Sequence, residues 1–319
     1  MYLKIIFQLV LLLFAVNLFA AKPDFVVAQD GSGDFKTVQE AIDAVKDSSE
    51  TRTVIYIKNG TYKEKLMLPA TKTNVSFIGQ DVSRVVLTYD DYASKKNEKG
   101  LNIGTTGSSS FFIFGDGFYA ENITFENSAG PVGQAVAVRV SADRIRFKNC
   151  RFVGFQDTLY VHGAGEKSRQ YYQNCYIEGT TDFIFGAATA LFERCTIYCK
   201  KGGSYITAAN TPKEASTGMV FLNCSITGDK GVSYYLGRPW GDYARTVFVK
   251  TTLPDFIRAE GWHNWGRPAA EQTVHYAEYK NSGPGAVIDQ RVSWSKQLSK
   301  QEARRLTARH IFKGWDIKN

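Results

Sequence analysis

FKNCRFVGFQDTLYVH, residues 147–162, holds both a repeating pattern and a break in that pattern. Its first four residues are an aromatic, a variable residue, Asn and a small residue. The pattern recurs as FENS at 125, YQNC at 172, FERC at 192 and FLNC at 221, so the intervals are 22, 25, 20 and 29. Irregular periods of this size, carried by short β-prone runs between Gly, Asn and Asp, point to a solenoid whose every coil adds one strand to each of several parallel sheets. The expected fold is all-β: a right-handed parallel β-helix with short capping and flanking helices. A sandwich would show a tight hairpin signal every 8–12 residues or so, and a TIM barrel a helix after each strand. Hairpin signals are few, with KNG at 58–60 and GDG at 115–117 as the exceptions, and the central chain has no such helix. On this reading the aromatics and cysteines of the repeat, Cys150 and Cys224 included, are interior ladders.

A solenoid exposes apolar surface and unpaired strand groups at its ends and needs caps. Thr37 and Glu40 in TVQEAIDAV form a capping-box pattern ahead of Val38, Ala41, Ile42 and Val45 on one helical face, which predicts an N-terminal cap. A second helix is predicted from Ser299 and Glu302 through QEARRLTARHIF, on the outside or at the far end, with His310 in a structural role.

Residues 1–21 carry one basic residue, Lys4, then a short apolar run closing on Ala20 and Ala21, the layout of a secretory signal peptide. An uncleaved anchor would need about 20 apolar residues. The expectation is therefore a signal at 1–21, one catalytic domain over 22–319, and a secreted, periplasmic or extracellular monomer without stable membrane insertion. The formal charge is +8, which favours an acidic partner. Without zinc-finger spacing, an RNP signature or a basic helix, nucleic acid is not that partner, and an extracellular polyanion is. Five cysteines without a CxxC pair exclude both a disulfide-dense scaffold and a zinc site.

Gln156 and Asp157 break the strand pattern. Asp182 in TTDFIFG follows Asp157 by 25 residues, the interval from Asn149 to Asn174. Gln134 in GQAVAVRV precedes Gln156 by 22, matching Asn127 to Asn149. Residues one coil apart stack at about 4.8 Å. Two carboxylates so placed resist ionising together, which leaves one as an acid and one as a nucleophile. Neutral amides beside them can donate to a developing oxyanion without disturbing that balance. The chemistry suits an ester carbonyl. No GxSxG occurs, and His162, His263, His275 and His310 have no evident nucleophile partner, so a serine esterase is disfavoured.

At these residues the chain resembles the pectin methylesterase (pectinesterase) family. GQAVAVRV, FQDTLYVH, GTTDFIFG and YLGRPWG are similar to its four active-site segments, in order, and the likeness runs from VVAQDGSGDFKTVQEAIDAV through GDGFYAENITFENSAGP to EYKNSGPGA and the closing Trp. The resemblance implies a cofactor-free, metal-free β-helix enzyme that hydrolyses methyl esters of pectin to methanol and pectate. It implies Asp182 as nucleophile, Asp157 as general acid then base, Gln134 and Gln156 as oxyanion donors, and Arg238 as the partner keeping Asp182 ionised. Trp240 and Trp262 match groove-lining aromatics, while Trp265 and Trp315 read as loop packing. Thr105, Thr106 and Phe185 fall at substrate-contacting positions. In plant members a disulfide joins the positions of Cys175 and Cys195, with Cys199 here as a competitor. The short leader before the catalytic pattern resembles a bacterial-style secreted member without a pro-region. The alternatives are a relative acting on other esters, a binding protein without turnover, and a calcium-dependent pectate lyase.

Overall fold

A computed structural model describes residues 22–317, so the expected leader at 1–21 lies outside the described residues. Every strand-to-strand pairing among them is parallel. One ladder runs Thr53–Ile57, Val75–Gly79, Tyr119–Glu121, Ile145–Lys148, then Leu159–Gln173, Thr181–Glu193, Met219–Leu222, Arg245–Val249 and His275–Tyr279. A second runs from Gly60–Lys63 through Val85–Tyr89, Thr124–Asn127, Arg151–Val153, Tyr176–Gly179 and Thr196–Cys199 to Ser225–Gly228. The third joins Leu66–Leu68, Phe111–Ile113 and Val138–Val140 to the first halves of Leu159–Gln173 and Thr181–Glu193, then to Tyr205–Ala209 and Tyr235–Pro239. Those two long strands bend from one face to another and so fuse the third ladder to the first. The architecture is a parallel β-helix, whose crossovers between right-twisted strands favour the right-handed coil.

The repeat marks a corner of the coil. Asn149, Asn174 and Asn223 have φ of 52°, 53° and 54°, and Arg194 in the same slot has 54°. One left-handed residue turns the chain from the first ladder into the second, and Asn adopts that conformation more readily than most side chains. The aromatic two residues earlier points inward. Rings of Phe147, Tyr172, Phe192, Phe221 and Phe248 stack in sequence at centroid separations of 5.1, 4.6, 4.6 and 4.4 Å. The residue after the corner points inward again, and Cys150, Cys175, Cys195 and Cys224 are all buried.

Two expectations need correction. FENS belongs to a different face: Phe125 pairs with Phe152 on the second ladder, and the corner below Asn149 is Asn122 (φ 59°), whose side-chain oxygen accepts from the Asn149 amide. The disulfide is not formed either, because all five cysteines are free and buried. The thiols of Cys175 and Cys195 instead donate to the carbonyls of Phe147 and Tyr172. Cys199 is buried on the strand that follows.

Helix Val38–Ala44 has the expected capping box and buries Val38, Ala41 and Ile42. The C-terminal helix is broken into Lys300–Arg304, with the Ser299–Glu302 capping box, and Ala308–Ile311, because Thr307 is extended (φ −118°, ψ 155°) and starts the chain afresh. Both pieces pack on the outside of the first ladder, where Leu306 meets Val247 and Val249, and Phe312 is buried against Tyr171, Leu191 and Val220. His310 hydrogen-bonds to Thr307 at 2.8 Å, a local structural contact.

Candidate active site

Outward-facing side chains of the third ladder stack into columns. Arg139, Tyr160, Phe185, Ala208 and Arg238 are register neighbours on successive coils. Just before these strands, Gln134 and Gln156 pair directly as a parallel bridge. Leu159 pairs with Ile184, the offset that separates Asp157 from Asp182, so the two aspartates occupy equivalent positions one coil apart. Both adopt left-handed backbone, φ 65° and 52°. The Asp157 amide donates to the Thr181 carbonyl at 3.1 Å, locking the two corners together. The interval read from Asn127 to Asn149 thus gave the right partner for Gln156 although Asn127 is not the lower corner.

The two carboxyls sit in different electrostatic surroundings. Arg238 grips Asp182 bidentately, Nε to Oδ1 at 2.9 Å and Nη2 to Oδ2 at 2.6 Å. Burial pushes the Asp182 carboxyl above the usual carboxylate range, and Arg238 pulls it back. Burial and the charge of Asp182 drive Asp157 well above that range, against a smaller lowering effect of Arg238. Asp182 therefore ionises first, and Asp157 keeps its proton beside it. Neither the Gln134 nor the Gln156 side-chain amide hydrogen-bonds to another described residue, which leaves their N–H donors free to face a ligand.

Arg238 is itself held between rings, 4.0 Å from the Tyr205 centroid and 3.6 Å from that of Trp265. Ala208, the rung between Phe185 and Arg238, has no side chain long enough to obstruct its reach to Asp182. The pairing is bidentate and partly desolvated, a setting in which guanidinium–carboxylate contacts are strong.

These groups open into one groove of about 410 Å³. Thr105 and Thr106, on the helical turn Gly104–Gly107, line one wall together with Gln134 and Gln156. Phe185 stacks on Tyr160 at 4.2 Å, and Trp240, 40% exposed, leans on both at 6.0 and 6.1 Å. Every expected site residue lies here except Trp262. That tryptophan is 1% exposed and stacks on Tyr276 at 4.4 Å inside the coil. It pairs with Gly237, in the inward column of Thr207, and a one-residue step reverses the face of a strand. Trp265, expected only to pack its loop, takes the groove position instead, at φ 58°. Tyr160, Ala208 and Trp265 were missed. The two strand residues were detectable as register mates of Arg238, whereas the loop tryptophan had no periodic signal.

Among the described residues no group of three or more His, Cys, Asp or Glu side chains is arranged to hold a metal ion. No described helix is long and apolar enough to cross a membrane.

The family model described as Pectinesterase matches residues 24–315. Pectinesterase 31 of Arabidopsis thaliana is 46% identical over 283 residues, 87% of this chain and 88% of that protein. Other relatives from the same plant are longer: this chain spans 41% of one named as a putative pectinesterase/pectinesterase inhibitor. Among solved structures, a pectin methylesterase from carrot superimposes with a TM-score of 0.85 at 38% identity, covering 92% of this chain and 94% of that one. A pectin methylesterase in complex with a hexasaccharide gives 0.80 at 30% identity, covering 93% and 99%. With the matched model spanning nearly all of the described residues, the chain belongs to the pectinesterase family.

Proposed function

We propose that this groove hydrolyses the methyl esters of pectin, releasing methanol and leaving galacturonate carboxylates. The observation that carries the reading is a buried pair of aspartates of which only Asp182 is gripped by an arginine, set beside two side-chain amides that no described residue engages. Asp182, ionised, attacks the ester carbonyl carbon. The oxyanion that forms takes hydrogen bonds from Gln134 and Gln156. As the carbon–oxygen bond to methoxide breaks, Asp157 delivers its proton and methanol leaves, so that an acyl-enzyme anhydride remains on Asp182. Asp157, now a carboxylate, takes a proton from water, whose oxygen attacks the acyl carbon. Asp182 is released and Asp157 is protonated again.

Arg238 keeps Asp182 charged and oriented, and Tyr205 and Trp265 keep Arg238 in place. Thr105, Thr106, Phe185 and Trp240 bind the sugar chain, Trp240 through its exposed ring face. Export of the protein is supported by the apolar leader, and attraction to an acidic polymer by the charge of +8. The test is methanol release from highly methylated pectin beside the absorbance of unsaturated uronides, for wild type and Asp182→Ala. Methanol from wild type alone, without unsaturated product, is expected. A folded wild type that releases none would remove the esterase reading, and unsaturated product would replace it with a lyase.

A further inference from the structure

The described part of the C-terminal segment covers only part of the outer face of the first ladder. Phe312 is buried on the outward column of Tyr171, Leu191 and Val220, and the last described residue, Ile317, meets Arg146, whose Nη1 donates to the Ile317 carbonyl at 2.7 Å. Beyond that point the column continues through Arg146, Tyr119 and Ser76. A cavity of about 370 Å³ lies there, walled by Trp315 and Ile317 above and by Arg52, Tyr119, Arg144 and Arg146 below. It shares no residue with the catalytic groove.

Three guanidinium groups face this space, and they are unequally neutralised. Arg144 has carboxylates at 3.3 Å (Asp143) and 3.7 Å (Asp116). Arg52 and Arg146 have none among the described residues. Arg52 donates to the Ser76 hydroxyl at 2.9 Å, and Arg146 donates to the Ile317 carbonyl and, at 3.0 Å, to the Gln173 amide oxygen. The Nε of Arg146 is buried without an acceptor. Its guanidinium lies 5.6 Å from the Tyr119 ring centroid. Two forked cations that have no carboxylate partner among the described residues, set beside aromatic rings, are complementary to a planar carboxylate carried on a sugar, which supplies both paired acceptors and an apolar face.

We propose that this cavity is a second carbohydrate site, which binds ionised uronate residues of demethylesterified pectin. The proposal rests on the esterase reading only for the source of its ligand: the groove creates one carboxylate at each ester it cleaves. A methyl ester has no charge to offer the guanidinium groups, so the site separates product from substrate and holds the polymer to the enzyme where it has already acted.

Calorimetric titration of Asp182→Ala protein with fully de-esterified trigalacturonate tests this without turnover. Two binding events are expected. Arg52→Glu should weaken one of them at least roughly tenfold, the loss appropriate to a charge-assisted contact, while Arg52→Lys, which keeps the charge without the fork, should weaken it less. Trp240→Ala should remove the other event, and the fully methylated trimer should show only the groove event. In the otherwise wild-type enzyme, Arg52→Glu should keep turnover of short methylated oligomers yet elute from immobilised pectate at lower salt. A single event that Trp240→Ala abolishes and Arg52→Glu leaves unchanged would overturn the proposal. Two events in Asp182→Ala protein whose wild-type parent releases no methanol would uphold the cavity while removing the esterase reading.

Discussion

Phe185 and Phe192 lie on one strand, Thr181–Glu193, and both are buried, but their neighbours differ in kind. Above and below Phe192 stand Tyr172 and Phe221, like stacked on like at 4.6 Å. Around Phe185 the column reads Arg139, Tyr160, Phe185, Ala208, Arg238, where the Tyr160–Phe185 stack is a single aromatic pair and the rungs on either side change in kind. The interior is filled by repetition, so each ring is supported by a similar one and the column serves cohesion. The groove column is aperiodic, and each rung can be given separate work. Repetition supplies a scaffold of known spacing, and departures from it mark the positions where chemistry is done.

The sharpest way to break that contrast is to remove a function from the outer face while leaving the scaffold intact. Asp157→Asn keeps size and hydrogen-bonding shape but cannot donate and recover the proton. Its kcat on methylated pectin should fall by roughly two to four orders of magnitude, the usual contribution of general acid–base catalysis, with little change in thermal midpoint. A near-normal kcat would detach Asp157 from the chemistry.

A second test uses pH. Turnover needs Asp182 ionised and Asp157 protonated, so activity should rise as pH climbs through the Asp182 pKa and fall as it climbs through that of Asp157. Arg238→Gln removes the group that favours the ionised form of Asp182. The acid limb should then move to higher pH by about one to three units, and an unmoved limb would show that Arg238 does not control this carboxylate.

The smallest effect sharpens the inside–outside distinction within one loop. Trp262→Ala opens a hole beside Tyr276 and should cost about 3–5 kcal/mol of stability, measured by denaturant unfolding, with KM little changed among the molecules that remain folded. Trp265→Ala should cost far less stability and instead raise KM a few-fold, because it lines the groove and covers Arg238. The opposite assignment of the two effects would reverse the faces described for these tryptophans.

The same contrast explains what could be read from sequence. The coil, the inner aromatic and cysteine ladders and the Asp157–Asp182 register follow from spacing, because a periodic column repeats its own evidence on every rung. Gln134 with Gln156 was reached through the right interval and the wrong anchor: FENS copies the corner motif on another face, where Phe125 pairs with Phe152. Trp262 and Trp265 lie in an irregular stretch without alternation to distinguish in from out, so only the pairing of Gly237 with Trp262 settles it. Thr307 interrupts a helix whose apolar spacing looked continuous, because an extended cap outweighs periodicity over so short a run. The free thiols of Cys175 and Cys195 satisfy carbonyls in the ladder, an outcome that cysteine spacing does not report.

The left-handed corner described above makes the molecule behave like a zip fastener with one toothed edge and one loose edge. Along the toothed edge, at Asn122, Asn149, Asn174, Arg194 and Asn223, a single residue makes each turn and allows no slack. Differences in coil length must therefore accumulate elsewhere, as they do in the segment from Ala93 to Gly104, closed by backbone hydrogen bonds and pinned to the Gln134 carbonyl. Such a segment can lengthen or shorten and reshape the wall of the groove without moving a tooth, so substrate preference can be edited independently of the register that keeps the two aspartates in line.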